Sequence, residues 1–149
     1  MRRPATTGAG RPAAGAAGHS CTNPAQHDLS DTLDAKFIAA AARTLQDGSP
    51  VELAFDVRNV HRTVGTMLGS EVTRRFGPDG LPTGTIAISL TGTAGQSLGA
   101  FLPNGITLTL TGDANDYVAK GLSGGRIIVR PSEDSPAQVA GAKTQVIAG

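Results

Sequence analysis

The chain has 149 residues, 39% of them hydrophobic and only 3% aromatic, which suits one domain with a core of Ile, Val, Leu and Ala rather than large rings. Its 20 glycines and 9 prolines favour a turn-dense architecture over a plain helical bundle. A net charge of +1 removes the electrostatic argument for a nucleic-acid or anionic-membrane partner.

Residues 1–27 carry Arg2, Arg3 and Arg11, no acid and almost no large apolar side chain, so a disordered Ala/Gly/Pro tail is expected there. Arg2 and Arg3 resemble the start of an export signal, but the apolar segment such a signal needs does not follow. The single cysteine, Cys21, excludes an intramolecular disulfide, and no apolar run approaches the roughly 20 residues of a membrane span. A cytoplasmic protein is expected. From Asp28 the pattern changes. Ser30 or Asp31 can cap a helix with apolar positions Leu33, Phe37, Ile38, Ala41 and Leu45, stopped by Gly48 and Pro50. Val51, Leu53, Phe55 and Val57 then alternate with Glu52, Ala54 and Asp56, the period of a half-buried strand. A mixed polar segment, 58–67, leads to a short helix over 70–76, which ends at the turn Gly77-Pro-Asp-Gly80.

Between Thr85 and Pro131 the sequence superimposes on itself when shifted by 20 positions. Ile86 falls on Ile106, Leu90 on Leu110, Thr91-Gly92 on Thr111-Gly112, Ala94 on Ala114, Leu102 on Leu122 and Gly105 on Gly125. A third unit starts at Arg126-Ile-Ile-Val129, with a shift of either 20, placing Ile128 on Leu108, or 21, placing Ile127 on Ile106. Each unit opens with a strand that cannot bury its apolar face alone, so the units must stack. The spacing of leucine-rich repeats is absent. The expected fold is mainly β, a single-stranded parallel β-helix of about 20 residues per coil with glycines at its corners, preceded by the helix and the tail.

Residues with chemical potential are better explained as structure. Gly92, Gly95 and Gly99, or Gly121, Gly124 and Gly125, lack the Lys-Ser/Thr or G-x-G-x-x-G context of a phosphate loop and read as coil corners. Asp113, Asn115 and Asp116 lack the other positions of a calcium loop and read as Asx turns. His19, Cys21 and His27 lack zinc-ligand spacing. His61 has no nucleophile nearby in sequence. Arg58, Arg62, Arg74 and Arg75 are interspersed with Glu52, Asp56, Glu71 and Asp79, which suggests solvated ion pairs or contacts to another domain. No catalytic, cofactor-binding or metal-ligating residue is assigned.

Three segments carry a resemblance: 58–67 (RNVHRTVGTM), 91–101 (TGTAGQSLGAF) and above all 112–129 (GDANDYVAKGLSGGRIIV). Together they resemble the C-terminal β-helix domain of the glutamate synthase large (alpha) subunit, over residues 28–149. The resemblance implies a right-handed coil, the fold of the C subunit of formylmethanofuran dehydrogenase, and a spacing role in glutamate biosynthesis and ammonia assimilation. It also implies that the chemistry lies in other domains, which hold the cysteine nucleophile, FMN and an iron–sulfur cluster. Cys21 matches neither the nucleophile nor a cluster's several thiolates, so no site residue is carried over. The expected partners are the catalytic domains or subunits of a glutamate synthase. A separate interaction subunit docking onto a flavin-containing partner, as in split glutamate synthases or methylamine–glutamate methyltransferase, is the alternative. An enzyme with its own site in the coil corners is a third. Against the family pattern, residues 1–27 are extra and the chain stops at Val146-Ile-Ala-Gly149, so a truncated domain with an unpaired apolar coil end, prone to self-association there, is expected.

Overall fold

The hydroxyl of Thr32 accepts the Ala35 N–H at 3.2 Å and so caps α1 (Leu33–Ala40). The expected caps, Ser30 and Asp31, lie instead in the preceding turn, where Ser30 N–H is taken up by the Asp28 carboxylate at 3.0 Å. The computed structural model describes residues 28–133 and 143–149; the expected tail at 1–27 lies outside the described residues. The single helix expected over this region breaks after Ala40 and resumes as α2 (Thr44–Asp47), which Gly48 ends with a left-handed φ of 72°. Leu33, Phe37, Ala41 and Leu45 are buried, as their spacing predicts.

In β1 (Val51–Val57), Val51, Leu53 and Phe55 pack against the core, and the Phe55 ring meets Phe37 at a centroid distance of 5.0 Å. The next helix, α3 (Thr66–Phe76), begins at Thr66 rather than near Ser70, for a reason that lies in α1 and is given below. The turn after it closes as expected, with Gly80 N–H donating to Gly77 C=O at 3.2 Å.

Four strands follow: β2 (Ile86–Ala94), β3 (Ile106–Ala114), β4 (Arg126–Arg130) and β5 (Gln145–Ala148). They join β1 in one sheet of order β1-β2-β3-β4-β5, with β1 to β4 parallel. The shift of 20 is the pairing register of β2 on β3, from Ile86 opposite Ile106 to Ala94 opposite Ala114. Ile86, Ile88, Leu90, Ile106, Leu108 and Leu110 all point to one core and are no more than 1% exposed.

The third unit departs from both expected registers. Ile127 pairs with Leu108 and Val129 with Leu110, a shift of 19. A shift of 20 would have turned Ile128 inward and left Ile127 and Val129 outside. The observed shift, like one of 21, turns Ile127 and Val129 inward: Ile127 is buried completely and Val129 packs against the core, and burying two branched side chains outweighs burying one. The missing residue drops out near Asn104. Pro103 still bridges Ser123, but the left-handed partner of Gly105 (φ 98°) is Gly124 (φ 90°), not Gly125 as the repeat suggested.

The unpaired apolar end expected at 146–149 is also corrected. These residues form β5, which pairs antiparallel with β4, Ile147 opposite Ile127 and Val146 opposite Ile128, and covers its edge. The described residues therefore make a mainly β fold, an open five-stranded sheet with three short helices. Among them no helix is long and apolar enough to cross a membrane.

Candidate functional site

Beyond the ends of β1, β2 and β3 lie three corner segments, 58–65, 95–105 and 115–125, which overlap the three motif segments singled out in the sequence. Backbone hydrogen bonds stitch the first to the second: Gly95 N–H donates to His61 C=O, Thr63 N–H to Gln96 C=O and Gly99 N–H to Val64 C=O, at 2.8 to 3.1 Å. The second and third are joined from Asn115 N–H to Ala94 C=O, Ser97 to Asp116, Ala119 to Leu98 and Phe101 to Lys120, at 2.9 to 3.2 Å. The stack thus continues around the corners in the same 20-residue step.

Over 97–101 and 117–121 every second residue is left-handed. Ser97, Gly99 and Phe101 have φ of 62°, 66° and 56°, and 20 positions on Tyr117, Ala119 and Gly121 have 62°, 62° and 64°. The residues between them in the first set, Leu98, Ala100 and Leu102, turn inward and are buried, while Phe101 and Tyr117 stand outward, 61% and 65% exposed. A side chain in this conformation costs about 1–2 kcal/mol, a cost carried at four non-glycine positions by the packing of the alternate residues.

The glycines do not form an anion cradle. A Cβ on Gly92 would collide with the Val57 carbonyl and one on Gly112 with the Gly92 carbonyl; on Gly95 it would meet the carbonyls of Asn59 and His61. Carbonyl oxygens repel a phosphate, and the amides of Gly95, Gly99 and Gly125 are already spent on backbone acceptors. Gly121 lies under the Phe101 ring and Gly124 under the Asn104 side chain. Gly92 and Gly112 lie within β2 and β3 rather than at corners, and there as in the corners close stacking requires glycine.

Asp113, Asn115 and Asp116 do not converge on a cation. The Asn115 side chain accepts Asp116 N–H at 2.9 Å and donates to the Asn59 side chain of the first corner at 3.0 Å. Among the described residues no group of three or more His, Cys, Asp or Glu is placed to hold a metal. His19, Cys21 and His27 lie outside the described residues. Arg74 and Arg75 both pair with Glu71 on α3, at 2.6 and 3.2 Å, whereas Arg58 and Arg62 are exposed on the first corner and make no ion pair among the described residues. The four arginines thus form no single face. His61 accepts Arg58 N–H on Nδ1 at 3.1 Å, and partial burial, with the charges of Arg58 and Lys36, holds its pKa below the ordinary histidine value.

The polar residue missed in the sequence is Asp34. It sits on the buried face of α1, and its carboxylate accepts the N–H groups of Gly65, Met67 and Leu68 at 2.7, 2.6 and 3.4 Å. Asp34 therefore caps α3 from another helix, satisfying amides that Gly65 cannot reach with a side chain, and this is why α3 starts at Thr66. Burial pushes its pKa above the usual carboxylate value, against the pull of the three donors. A signal was present: an acid on the same helical face as Ile38, Ala41 and Leu45. Beside it, a cleft of about 290 Å³ is lined chiefly by apolar groups, including Leu29, Val60, Val64 and Met67. The buried carboxylate of this cleft is committed to three amides, and His61, which also lines it, has its Nδ1 taken by Arg58 N–H.

The GXGXG motif family model matches residues 34–149. The chain is 53% identical over 116 residues to the glutamate synthase (NADPH) large chain of Azospirillum brasilense, covering 78% of this chain and 8% of that protein. Identity to the glutamate synthase (NADPH) large chain of Bacillus subtilis is 46% over 112 residues, 74% of this chain and 7% of that one. For the glutamate synthase (NADH) of Saccharomyces cerevisiae it is 48% over 114 residues, 76% of this chain and 5% of that one. The chain spans less than a tenth of the length of these relatives.

Proposed function

Because the chain belongs to the GXGXG motif family, we propose that it acts as the non-catalytic structural domain of a glutamate synthase large chain, spacing the domains that carry the reaction. The finer fold in this reading is a right-handed parallel β-helix of about 20 residues per coil, with residues 28–149 as the domain. The observation that carries it is the shared 20-residue step of β2 and β3: the pairing of Ile86 with Ile106 runs on to Ala94 with Ala114, and the same step continues through the hydrogen-bonded corners. The commitment of the Gly95, Gly99 and Gly125 amides and of the Asp34 carboxylate to internal hydrogen bonds supports a scaffold rather than a reaction centre. The partners in this reading are the catalytic domains or subunits of the synthase, which hold FMN and the iron–sulfur cluster, and the compartment is the cytoplasm.

The test uses a full-length large chain of this family, carrying this sequence in place of its own GXGXG segment. Glycine 92 replaced by valine, which disrupts the stack, is expected to lower glutamine-dependent glutamate formation while the flavin content of the rest of the enzyme is retained. Flavin bound by the 149-residue chain alone, or glutamate formed by it without partners, would overturn the reading.

A further inference from the structure

The outer face of the sheet carries an ordered pattern of charge. Following the pairing from β1 to β4, one rung reads Glu52, Ala87, Thr107, Arg126; the next reads Ala54, Ser89, Thr109, Ile128; the third reads Asp56, Thr91, Thr111, Arg130. Two carboxylates thus stand on β1 and two guanidiniums on β4, at matching levels, with only small side chains on the two strands between. Glu52, Asp56, Arg126 and Arg130 are exposed and make no ion pair among the described residues. At about 4.8 Å per strand the two charged edges are about 14 Å apart, too far to neutralise each other directly.

A second copy of the same face complements this pattern in one arrangement. Placed face to face about a two-fold axis that runs along the strands between β2 and β3, β1 of one copy lies over β4 of the other. Levels are preserved, so Glu52 meets the other copy's Arg126, Asp56 meets Arg130, and Asp113 one rung on meets a hydroxyl, Thr93. A two-fold axis across the strands sets carboxylate over carboxylate, and an axis centred on β3 sets Glu52 over Ala148 of β5. The Ala, Ser and Thr side chains in the middle permit sheets to approach in aligned packing.

We propose that this sheet face is an isologous contact between two copies of the chain. The contact is at the face and not at the coil end, which β5 covers. The face is roughly 15 Å on a side, well below a standard interface, so the dimer is weak and salt-sensitive.

Sedimentation equilibrium of the full chain at low salt tests it, from micromolar to near-millimolar concentration. Two doubly reversed variants are compared, Glu52→Arg with Asp56→Arg and Arg126→Glu with Arg130→Glu, together with the variant carrying all four changes. Each double reversal is expected to weaken the dimer at least about tenfold, the fourfold variant to regain it, and an equimolar mixture of the two doubles to form heterodimer. Circular dichroism identifies any variant that fails to fold, and the salt dependence of the unaltered chain then serves as the second readout. A chain that stays monomeric throughout, a dimer indifferent to salt and charge reversal, or a face that binds another domain of the large chain instead would overturn the proposal.

Discussion

Residues 86–105 and 106–125 carry the same pattern of strand, turn and alternating corner, yet they are not equally buried. In the first, Leu98, Ala100 and Leu102 are buried; in the second, their counterparts Val118 and Leu122 are partly buried and Lys120 is exposed. At Lys120 the charge accounts for the exposure, but the apolar pairs Leu98/Val118 and Leu102/Leu122 need another reason. The corner at 95–105 lies between two others, whereas the corner at 115–125 has a described neighbour on one side only. Burial in a stacked repeat is set by place in the stack, because each repeat completes its core against its neighbours.

Truncating equivalent leucines exposes this contrast most strongly. Leu102→Ala is expected to cost about 2–5 kcal/mol, because the fully buried side chain packs against Gly65 on one side and Gly125 on the other. Equilibrium denaturation measures it, and a cost no larger than that of Leu122→Ala would contradict the stacking account. Asp34→Ala comes next, at about 1–3 kcal/mol, since it strands buried amides at the start of α3. That helix start places Gly65 against Leu102 and Leu108, so the inner coil depends on it. Leu122→Ala, in the half-exposed coil, is expected to cost about 1 kcal/mol. The smallest effect is a gain: Ala119→Gly removes a left-handed alanine and should stabilise by about 0.5–1 kcal/mol after its entropy cost, read as a modest rise in melting temperature.

The same carboxyl gives a pH dependence with a defined sign. Burial raises the folded pKa of Asp34, so the native chain holds this proton more tightly than the unfolded one. The stability it contributes is full below the ordinary carboxylate pKa and is lost as pH rises through the raised value. Asp34→Asn lacks this dependence, so its stability deficit relative to the unaltered chain should shrink from acid to neutral pH. Paired denaturant titrations across that range check it; a deficit that grows with pH would show the three amide donors outweighing burial.

Much of the architecture is legible without coordinates. The alternation in 51–57 marks β1, the apolar spacing from Leu33 marks the helical region, and the self-match by 20 residues is the pairing register of β2 on β3. The corner glycines are legible too, though their reason is not. What goes unread involves a partner distant in sequence. Asp34 makes sense only beside Gly65, Met67 and Leu68, and the start of α3 only beside Asp34. The helix cap moved to Thr32 because the chain turns through Ser30 and Asp31 before entering α1.

By itself, then, the sequence determined that 51–57 and the openings of the three repeated units are strands, which faces are apolar and that the units must lie on one another, because periodicity and the need to bury one face act locally. Tertiary structure alone decided that the last unit slips by one residue to bring Ile127 and Val129 inward, and that 145–148 returns as an antiparallel strand over β4. Those outcomes depend on how much apolar surface each alternative removes from water and which strand edge is left to pair, and neither quantity exists until the coils are stacked.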